Sequence, residues 1–326
     1  MREIRWGIVG LGNIARKFAT DLALVPNCCL QAVASSSASR SETFAVDFGA
    51  KSSYSDYESL FSDPDVDVVY IASLHPLHHS LSIAALQHGK GVLCEKPMGI
   101  NSREVKEIRA VAQEHSAFLM EALWTRFNPA FEQVVKWVAE GKIGKIRYIN
   151  ASFSFNGLDR GEESRLFNLE KAGGSLLDIG IYPLFLAYQL MGNPNSILAS
   201  AVVSQQGVDE QLAFILSYTK SQALLYSSFT HDEDMRATIC GEEGEIYMNS
   251  RWHETPNIKL LRQGKEDNPI FEFVGRGYSY EIEEVNRCLR EQRIESPKWT
   301  TKNSLELSEL MDAIRKQIGV RYSADL

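Results

Sequence analysis

Two side chains in this sequence of 326 residues are placed to move a proton or polarise an oxygen. Lys96 lies in Glu95-Lys96-Pro97, directly after the short apolar run Gly91 to Cys94. If that run is a strand of a parallel sheet, Lys96 stands at its carboxyl end, where such sheets bind ligands. An ammonium there can polarise a carbonyl or lower the pKa of a neighbouring acid. The second is Tyr182, which closes Gly173-Gly174-Ser175-Leu176-Leu177-Asp178-Ile179-Gly180-Ile181-Tyr182. A helix from about Ser175 puts Asp178 and Tyr182 four residues apart on one face. A phenol can then serve as general acid or base once a nearby cation lowers its pKa. The plainer alternatives are a surface lysine in a turn, and a helix-start aspartate beside a packing tyrosine. Pro183 cannot donate its backbone hydrogen bond and is expected to bend this helix.

Such groups need a bound reactant to act on, and a glycine turn near the start supplies a candidate site. Gly10-Leu11-Gly12-Asn13-Ile14-Ala15 fits G-x-G-x-x-A, follows the strand-like Trp6-Gly7-Ile8-Val9 and opens a helix. The first glycine permits a tight turn, the second lets the backbone approach a pyrophosphate, and Ala15 lets helix and strand pack closely. Gly10, Gly12, Asn13 and Ile14 are therefore expected to contact a dinucleotide at the helix N-terminus. An NAD site usually places an acid at the end of the second strand. Here that strand ends Ser35-Ser36-Ser37-Ala38-Ser39-Arg40, with no acid before Glu42. Ser35, Ser36 and Arg40 suit the 2′-phosphate of NADP, which is favoured while NAD stays possible; a solvated serine loop is the alternative. Leu74, His75 and His78 follow the β-branched run Val66 to Ala72 and, with Glu95, Lys96 and Pro97, complete the expected cofactor contacts. No third ligand of suitable spacing accompanies the histidines, so no metal site is expected.

The elements that would carry these residues follow a simple alternation. Strand candidates at 6–9, 30–35, near 54, 66–72, 91–94 and 117–120 alternate with helical stretches, as in a doubly wound parallel sheet. After Trp124 the pattern changes. Phe131, Val134, Val135 and Val138 mark an amphipathic helix that Pro129 can start. Ile149, Ala151, Phe153 and Phe155 alternate as in a half-covered strand. Further strand candidates at 197–204, 211–219, 222–230, 236–240, 245–249, 257–262 and 269–274 read as an antiparallel meander, and helices near 278–291 and 303–318 follow. The fold class is α/β: a Rossmann domain over 1–122, then an α+β domain over 123–326 with a large open, mainly antiparallel sheet. The second is expected to bind substrate and mediate oligomerisation, with the last helices packing back on the first.

Composition narrows the function. Hydrophobic residues make up 44% and charged residues 23%, and 34 Lys and Arg stand against 42 Asp and Glu, for a net charge of -8. That balance argues against nucleic-acid binding, which needs a basic face. Five cysteines, odd in number and without C-x-x-C spacing, argue against a disulfide framework or structural zinc. No apolar run of about 20 residues suggests a membrane span or signal. The expectation is a cytoplasmic protein with no membrane partner and reduced thiols. An exposed sheet face would aggregate unless paired, so a homodimer or higher homo-oligomer is expected.

Taken together these segments resemble the Gfo/Idh/MocA family over nearly the whole chain. Cys94-Glu95-Lys96-Pro97-Met98-Gly99, Met120-Glu121-Ala122-Leu123-Trp124-Thr125-Arg126-Phe127 and His75-Pro76-Leu77-His78 look most like its branch of dimeric dihydrodiol dehydrogenases and NADP-dependent D-xylose dehydrogenases. The resemblance implies a catalytic Lys96, a catalytic Tyr182 where other branches have His, an acidic partner at Asp178, and a cis bond at Pro97. It also implies that Trp124, Arg126, Phe153 or Phe155, and Trp252 line a sugar or diol pocket, although buried aromatics are ordinary. Branch members carry Arg directly after the second strand where this sequence has Ser36, and only Arg40 matches. The implied reaction is hydride transfer between nicotinamide and a carbinol or carbonyl carbon. Lys96 and Tyr182 must converge on that carbon. A non-catalytic cofactor-binding sensor, or hydrolysis with transient hydride transfer, are the alternatives.

Overall fold

The computed structural model describes residues 2–161, 163–254 and 257–326. The chain divides into two compact units, Met1–Phe127 with Phe273–Leu305, and Asn128–Glu272 with Glu306–Leu326. The first begins β1 (Ile4–Val9), α1 (Asn13–Leu22), β2 (Cys28–Ala34), α2 (Ala38–Phe48), β3 (Ser52–Tyr54) and α3 (Tyr57–Ser62). It continues β4 (Val68–Ile71), α4 (His78–Gln87), β5 (Gly91–Glu95), α5 (Ser102–Glu114) and β6 (Leu119–Ala122). All strands pair in parallel, in the order β3-β2-β1-β4-β5-β6. The chain thus winds outward in both directions from β1, the doubly wound arrangement expected from the alternation. Helices cover both faces of such a sheet, so its strands are apolar almost throughout, as in β1, where Ile4, Trp6, Ile8 and Val9 are fully buried.

On one face, Leu60, Val69, Ile71, Val92 and Leu119 pack with Leu81 and Ala85 of α4 and Val105 and Ile108 of α5. Each large side chain buried there contributes about 1.5–3 kcal/mol. On another, Phe18 of α1 stacks on Tyr70 of β4 with ring centroids 3.7 Å apart. Helix α3 was not expected. Two turns are too short to show a period, yet Leu60 and Phe61 are buried and Asp56 accepts the Ser59 amide at 2.7 Å.

The second unit starts with α6 (Pro129–Ala139), whose first turn is capped by Asn128 accepting the Ala130 amide at 2.9 Å. Then come β7 (Ile146–Ser154), α7 (Ile181–Met191), β8 (Ser196–Val203), β9 (Asp209–Tyr218), β10 (Ser221–Ser228), β11 (Ala237–Gly241), β12 (Glu245–Met248), β13 (Ile258–Arg262) and β14 (Lys265–Asp267). The strand order is β14-β13-β12-β11-β7-β10-β9-β8. The expected meander needs two corrections. Strand β7 inserts between β11 and β10 and runs parallel to β10, while its other pairing is antiparallel. The last strand lies at 265–267, and 269–274 forms none. Gln263 and Gly264, at φ 52° and 71°, make a two-residue turn that pairs Arg262 with Lys265. Pro269 then lacks a donor for further pairing.

The stretch Leu169–Met191 contains a window of membrane-span length with mean hydropathy 1.2, but 83% of that window is buried within the molecule, as in the core of a folded unit. Helix α8 (Ser279–Arg290) belongs to the first unit, and α9 (Thr301–Ile318) runs across the division at residue 305.

Candidate functional site

The glycine turn is shaped by its surroundings. Gly10 has φ 82°, and a side chain on it would start 2.5 Å from the Ser73 amide nitrogen and 2.6 Å from the Ala72 carbonyl carbon. Only glycine fits where β1 passes so close to the end of β4. A Cβ on Gly12 would meet nothing within 4 Å, and no side chain caps α1. The N-terminus of α1, with Asn13 and Ile14, therefore offers amides to an anion in open space, which fits a dinucleotide pyrophosphate. At the end of β2, buried Ser35 accepts the Ser37 amide at 3.3 Å, and Ser37 and Ser39 hydroxyls lie 3.1 Å apart. Ser36 and Arg40 are exposed, and the first turn of α2 holds no acid. Among the described residues, the first turn of α2 thus presents no carboxylate beside these serines.

Lys96, half-buried, begins a loop held by carboxylates from three different elements. Glu95 accepts the Lys96 amide at 3.1 Å, Glu121 of β6 accepts the Met98 amide at 2.8 Å, and Glu104 of α5 accepts the Ile100 amide at 2.8 Å. Every second amide of the loop thus has a buried acceptor. Tyr70 donates to the other Glu95 oxygen at 2.5 Å. Burial pushes the Glu121 carboxyl above its ordinary range, against the hydrogen bonds that lower it. The Lys96–Pro97 peptide is cis. His78 ties this loop to the previous strand end, with Nδ1 2.7 Å from the Pro97 carbonyl oxygen and Nε2 3.1 Å from that of Ser73. Only an imidazolium could donate to both, yet burial lowers the His78 pKa, so the two demands oppose each other. His75 sits in a turn over His75–Leu77, its ring 5.6 Å from that of His78, and Leu74 is exposed.

Beyond β6, Trp124 and Arg126 lie in a buried 3-10 turn. Trp124 stacks on Tyr278 at 4.8 Å, and Arg126 donates to the Lys298 carbonyl at 3.0 Å. Both partners come from the returning segment 273–305.

In the second unit, Asp178 and Tyr182 stand on two kinds of helix. A π-turn over Leu176–Gly180 carries Asp178 and leads into α7, which carries Tyr182. The irregularity lies just before Pro183, whose missing N–H removes a helical bond to this turn. Arg165 forks onto Asp178 through both terminal nitrogens, at 3.0 and 3.3 Å. The Tyr182 ring meets Phe153 at 5.5 Å and His253 at 5.4 Å, and His253 stacks on Phe153 at 3.9 Å. Between the two phenylalanines that the sequence left open, Phe153 is the one beside Tyr182. Phe155 packs on Phe229, 5.2 Å away, under the Arg160 guanidinium. Trp252 is fully buried and donates to the Ser152 carbonyl at 2.8 Å.

Sequence reasoning named Glu95 but missed His253, Arg165 and the other two acids of the Lys96 loop, Glu104 and Glu121. His253 is buried, 3.7 Å from Glu254. Burial raises the Glu254 carboxyl, but Arg251 and His253 outweigh it and hold it at about 2. Asp209 was missed too. Fully buried, it accepts the Ser175 hydroxyl at 2.8 Å and the Leu176 amide at 2.7 Å, where the π-turn begins. Burial pushes its carboxyl up to about 6, against those bonds. The native pKa thus exceeds the unfolded one, so the stability tied to this group is fully present below about pH 4 and lost as pH rises through about 6. Two pKa units correspond to about 3 kcal/mol. In urea unfolding, the stability of Asp209→Asn relative to the parent is expected to fall by about that much between about pH 7.5 and pH 4. A difference independent of pH would show that Asp209 ionises normally.

The family model for the oxidoreductase family with NAD-binding Rossmann fold (GFO/IDH/MocA) matches residues 4–123, and the GFO/IDH/MocA C-terminal domain matches 131–247. Trans-1,2-dihydrobenzene-1,2-diol dehydrogenase of Xenopus tropicalis is 35% identical over 329 residues, covering 98% of this chain and 99% of that protein. The Homo sapiens protein of the same name is 34% identical over 339 residues, covering 99% of each. A 3-ketoreductase from Actinomadura kijaniata, solved with NADP and TDP-benzene, superposes with a TM-score of 0.87 at 26% identity, over 97% of this chain and 98% of that one. An aldose-aldose oxidoreductase from Caulobacter crescentus, at 23% identity and a TM-score of 0.88, shares the fold. A parallel sheet with its glycine cradle, an eight-stranded second sheet, and full-length similarity to these enzymes place the chain in the GFO/IDH/MocA family of NAD(P)-binding oxidoreductases.

Proposed function

We propose that this chain is an NADP(H)-dependent dehydrogenase or reductase of a CH–OH carbon in a sugar or cyclic diol, with Tyr182 as its acid–base group. The observation that carries the reading is the phenol itself: a buried Tyr182, four residues after the arginine-paired Asp178, against a wall of Phe153 and His253. The wall supports a sugar or diol, because an aromatic face packs on the C–H side of a ring while Asp178 and Arg165 bond hydroxyls. When bound, the nicotinamide accepts or returns the hydride. Tyr182 takes the hydroxyl proton in oxidation and returns it in reduction. Lys96 polarises and orients the substrate oxygen, and Asp178 positions substrate. Gly10, Gly12, Asn13 and Ile14 hold the pyrophosphate, and Leu74, His75, His78, Glu95 and Pro97 border the nicotinamide end. Ser35, Ser36 and Arg40 take the 2′-phosphate, a reading supported by the acid-free start of α2 and by the NADP in the Actinomadura kijaniata structure. Trp124 and Arg126 are assigned to substrate contact as well.

The test is absorbance of reduced nicotinamide when the purified protein meets NADP+ or NAD+ with pentoses, hexoses and trans-diols. Turnover with NADP+ on one of these classes supports the reading. Cofactor binding without turnover on any would point to a sensor, and release of a leaving group without accumulated NADPH to hydrolysis.

We assign cofactor to residues 1–122 and substrate and subunit contact to the second sheet, with the protein in the cytoplasm, in keeping with five free thiols. On the sheet's uncovered face Leu198, Ile215 and Leu224 stand side by side across β8, β9 and β10, Leu198 being 67% exposed. A homodimer that buries this row is expected to become monomeric in Leu224→Asp by sedimentation; an unchanged dimer would place the interface elsewhere.

A further inference from the structure

Three segments remote in sequence meet at the start of the π-turn. Asp209, at the first position of β9, receives the Ser175 hydroxyl and the Leu176 amide on one oxygen. Ser227 of β10 lies 2.9 Å from the same Ser175 hydroxyl. Tyr322, buried, donates to the Gly173 carbonyl at 2.5 Å. Tyr322 is in turn fixed by Arg315, whose guanidinium lies 5.1 Å from the ring centroid and bonds Asp325 at 2.5 Å, while Asp325 accepts the Tyr322 amide at 2.9 Å.

The small residues of the segment match these approaches. A side chain at Gly174, where φ is 110°, would start 2.4 Å from an Asp209 oxygen. One at Gly173 would start 2.5 Å from the Leu166 carbonyl oxygen, and one at Gly180 2.8 Å from the Ser227 hydroxyl. Asp209, Ser227 and Tyr322 thus occupy the space that side chains at 174 and 180 would need, or bond the backbone beside it.

We propose that Asp209 and Tyr322 are positioning residues, which set where the π-turn begins and so where it delivers Asp178 and Tyr182. Leu176 is two residues before Asp178, and the intervening backbone is one hydrogen-bonded turn, with the Asp178 amide on the Gly174 carbonyl at 3.4 Å. A shift at Gly173–Leu176 therefore passes to both functional side chains with little to absorb it. A misplacement of about 1 Å in a reacting geometry costs on the order of 100-fold in rate. The inference rests on Tyr182 being the acid–base group.

The experiment is steady-state kinetics of Asp209→Ala, Asp209→Asn, Tyr322→Phe and Tyr182→Phe, with NADP+ and the best substrate from the panel, beside NADPH affinity by fluorescence and melting curves. Asp209→Ala is expected to lower kcat about 10- to 100-fold at temperatures well below its melting point, with NADPH affinity unchanged. Asp209→Asn, which keeps an acceptor for Ser175 and Leu176, should return kcat to within a few-fold of the parent. Tyr322→Phe removes one bond without a cavity and should lower kcat several-fold. A merely structural role would move the melting point and leave kcat of the folded enzyme alone. Parental kcat in folded Asp209→Ala overturns the proposal; if that variant does not fold, parental kcat in Tyr322→Phe does so. Normal turnover of Tyr182→Phe would instead remove the reading beneath it. An inactive Tyr182→Phe beside fully active Asp209 and Tyr322 variants would sink the positioning claim alone.

Discussion

Replacing Tyr182 with Phe is expected to lower kcat by about 10²–10⁴-fold while leaving the fold and cofactor affinity intact. The substitution removes one oxygen from a side chain that is 6% exposed and whose packing is aromatic. The ring keeps its neighbours Phe153 and His253, so no cavity forms and stability should change little. The hydroxyl proton of the substrate loses its acceptor. A carbinol cannot release hydride without giving up that proton, since a protonated carbonyl is far too acidic to accumulate. The loss should therefore fall on kcat and kcat/KM together, the signature of an interaction made in the transition state. Steady-state kcat and kcat/KM of the folded variant measure the effect. Parental kcat in a folded Tyr182→Phe would show that another group moves the proton, and His253, stacked against the same Phe153, would be the first to examine.

Sequence alone conveyed much of the first sheet because its signals are local. A β-branched run, a glycine turn and a helical period each fit in a dozen residues, and Gly10 and Gly12 sit where that reading puts them. The polar framework around Lys96 was not legible. Glu95, Glu104 and Glu121 bond alternate amides of one loop from β5, α5 and β6, and nothing in their spacing announces a shared target. One signal was available: Glu121 interrupts an otherwise apolar strand, and a buried carboxylate there needs partners. His253 was hidden for a similar reason. It meets Tyr182 and Phe153 across segments about 70 and 100 residues apart in sequence, and the position of β7 between β11 and β10 was not foreseen. A parallel β7–β10 pairing depends on which strands meet after the chain has crossed the sheet, and alternation along one strand says nothing of that. The π-turn was likewise invisible as such. Pro183 flagged a disturbance, but Asp209, which fixes the turn's start, lies 26 residues beyond it in sequence.

A second large effect is expected at Asp21, far along the chain from any proposed catalytic group. Fully buried in α1, its carboxylate accepts the Arg276 amide on both oxygens at 2.9 Å, the Tyr278 amide at 2.9 Å and the Ser279 amide at 3.3 Å. The Tyr278 and Ser279 amides are among the orphan donors at the start of α8, whose N-cap side chain makes no cap bond, and the Arg276 amide just before them shares the same acceptor. Gly275, at φ 65°, is glycine because a Cβ there would lie 2.4 Å from an Asp21 oxygen. Asp21→Ala strands these amides, each at a cost of about 1–3 kcal/mol when buried, so a total of about 3–5 kcal/mol is expected. In a unit of this size that lowers the melting temperature by roughly 10–15 °C. Asp21→Asn keeps one acceptor oxygen and should recover about half of the loss. The functional consequence follows from what the returning segment carries: Tyr278 stacks on Trp124, and the Lys298 carbonyl holds Arg126. If those two residues line substrate, Asp21→Ala at low temperature should raise KM more than it lowers kcat, because the reacting groups at Lys96 and Tyr182 are held by other bonds. A melting temperature within about 2 °C of the parent would show that the α8 amides find water instead, and that Asp21 is not what anchors the segment.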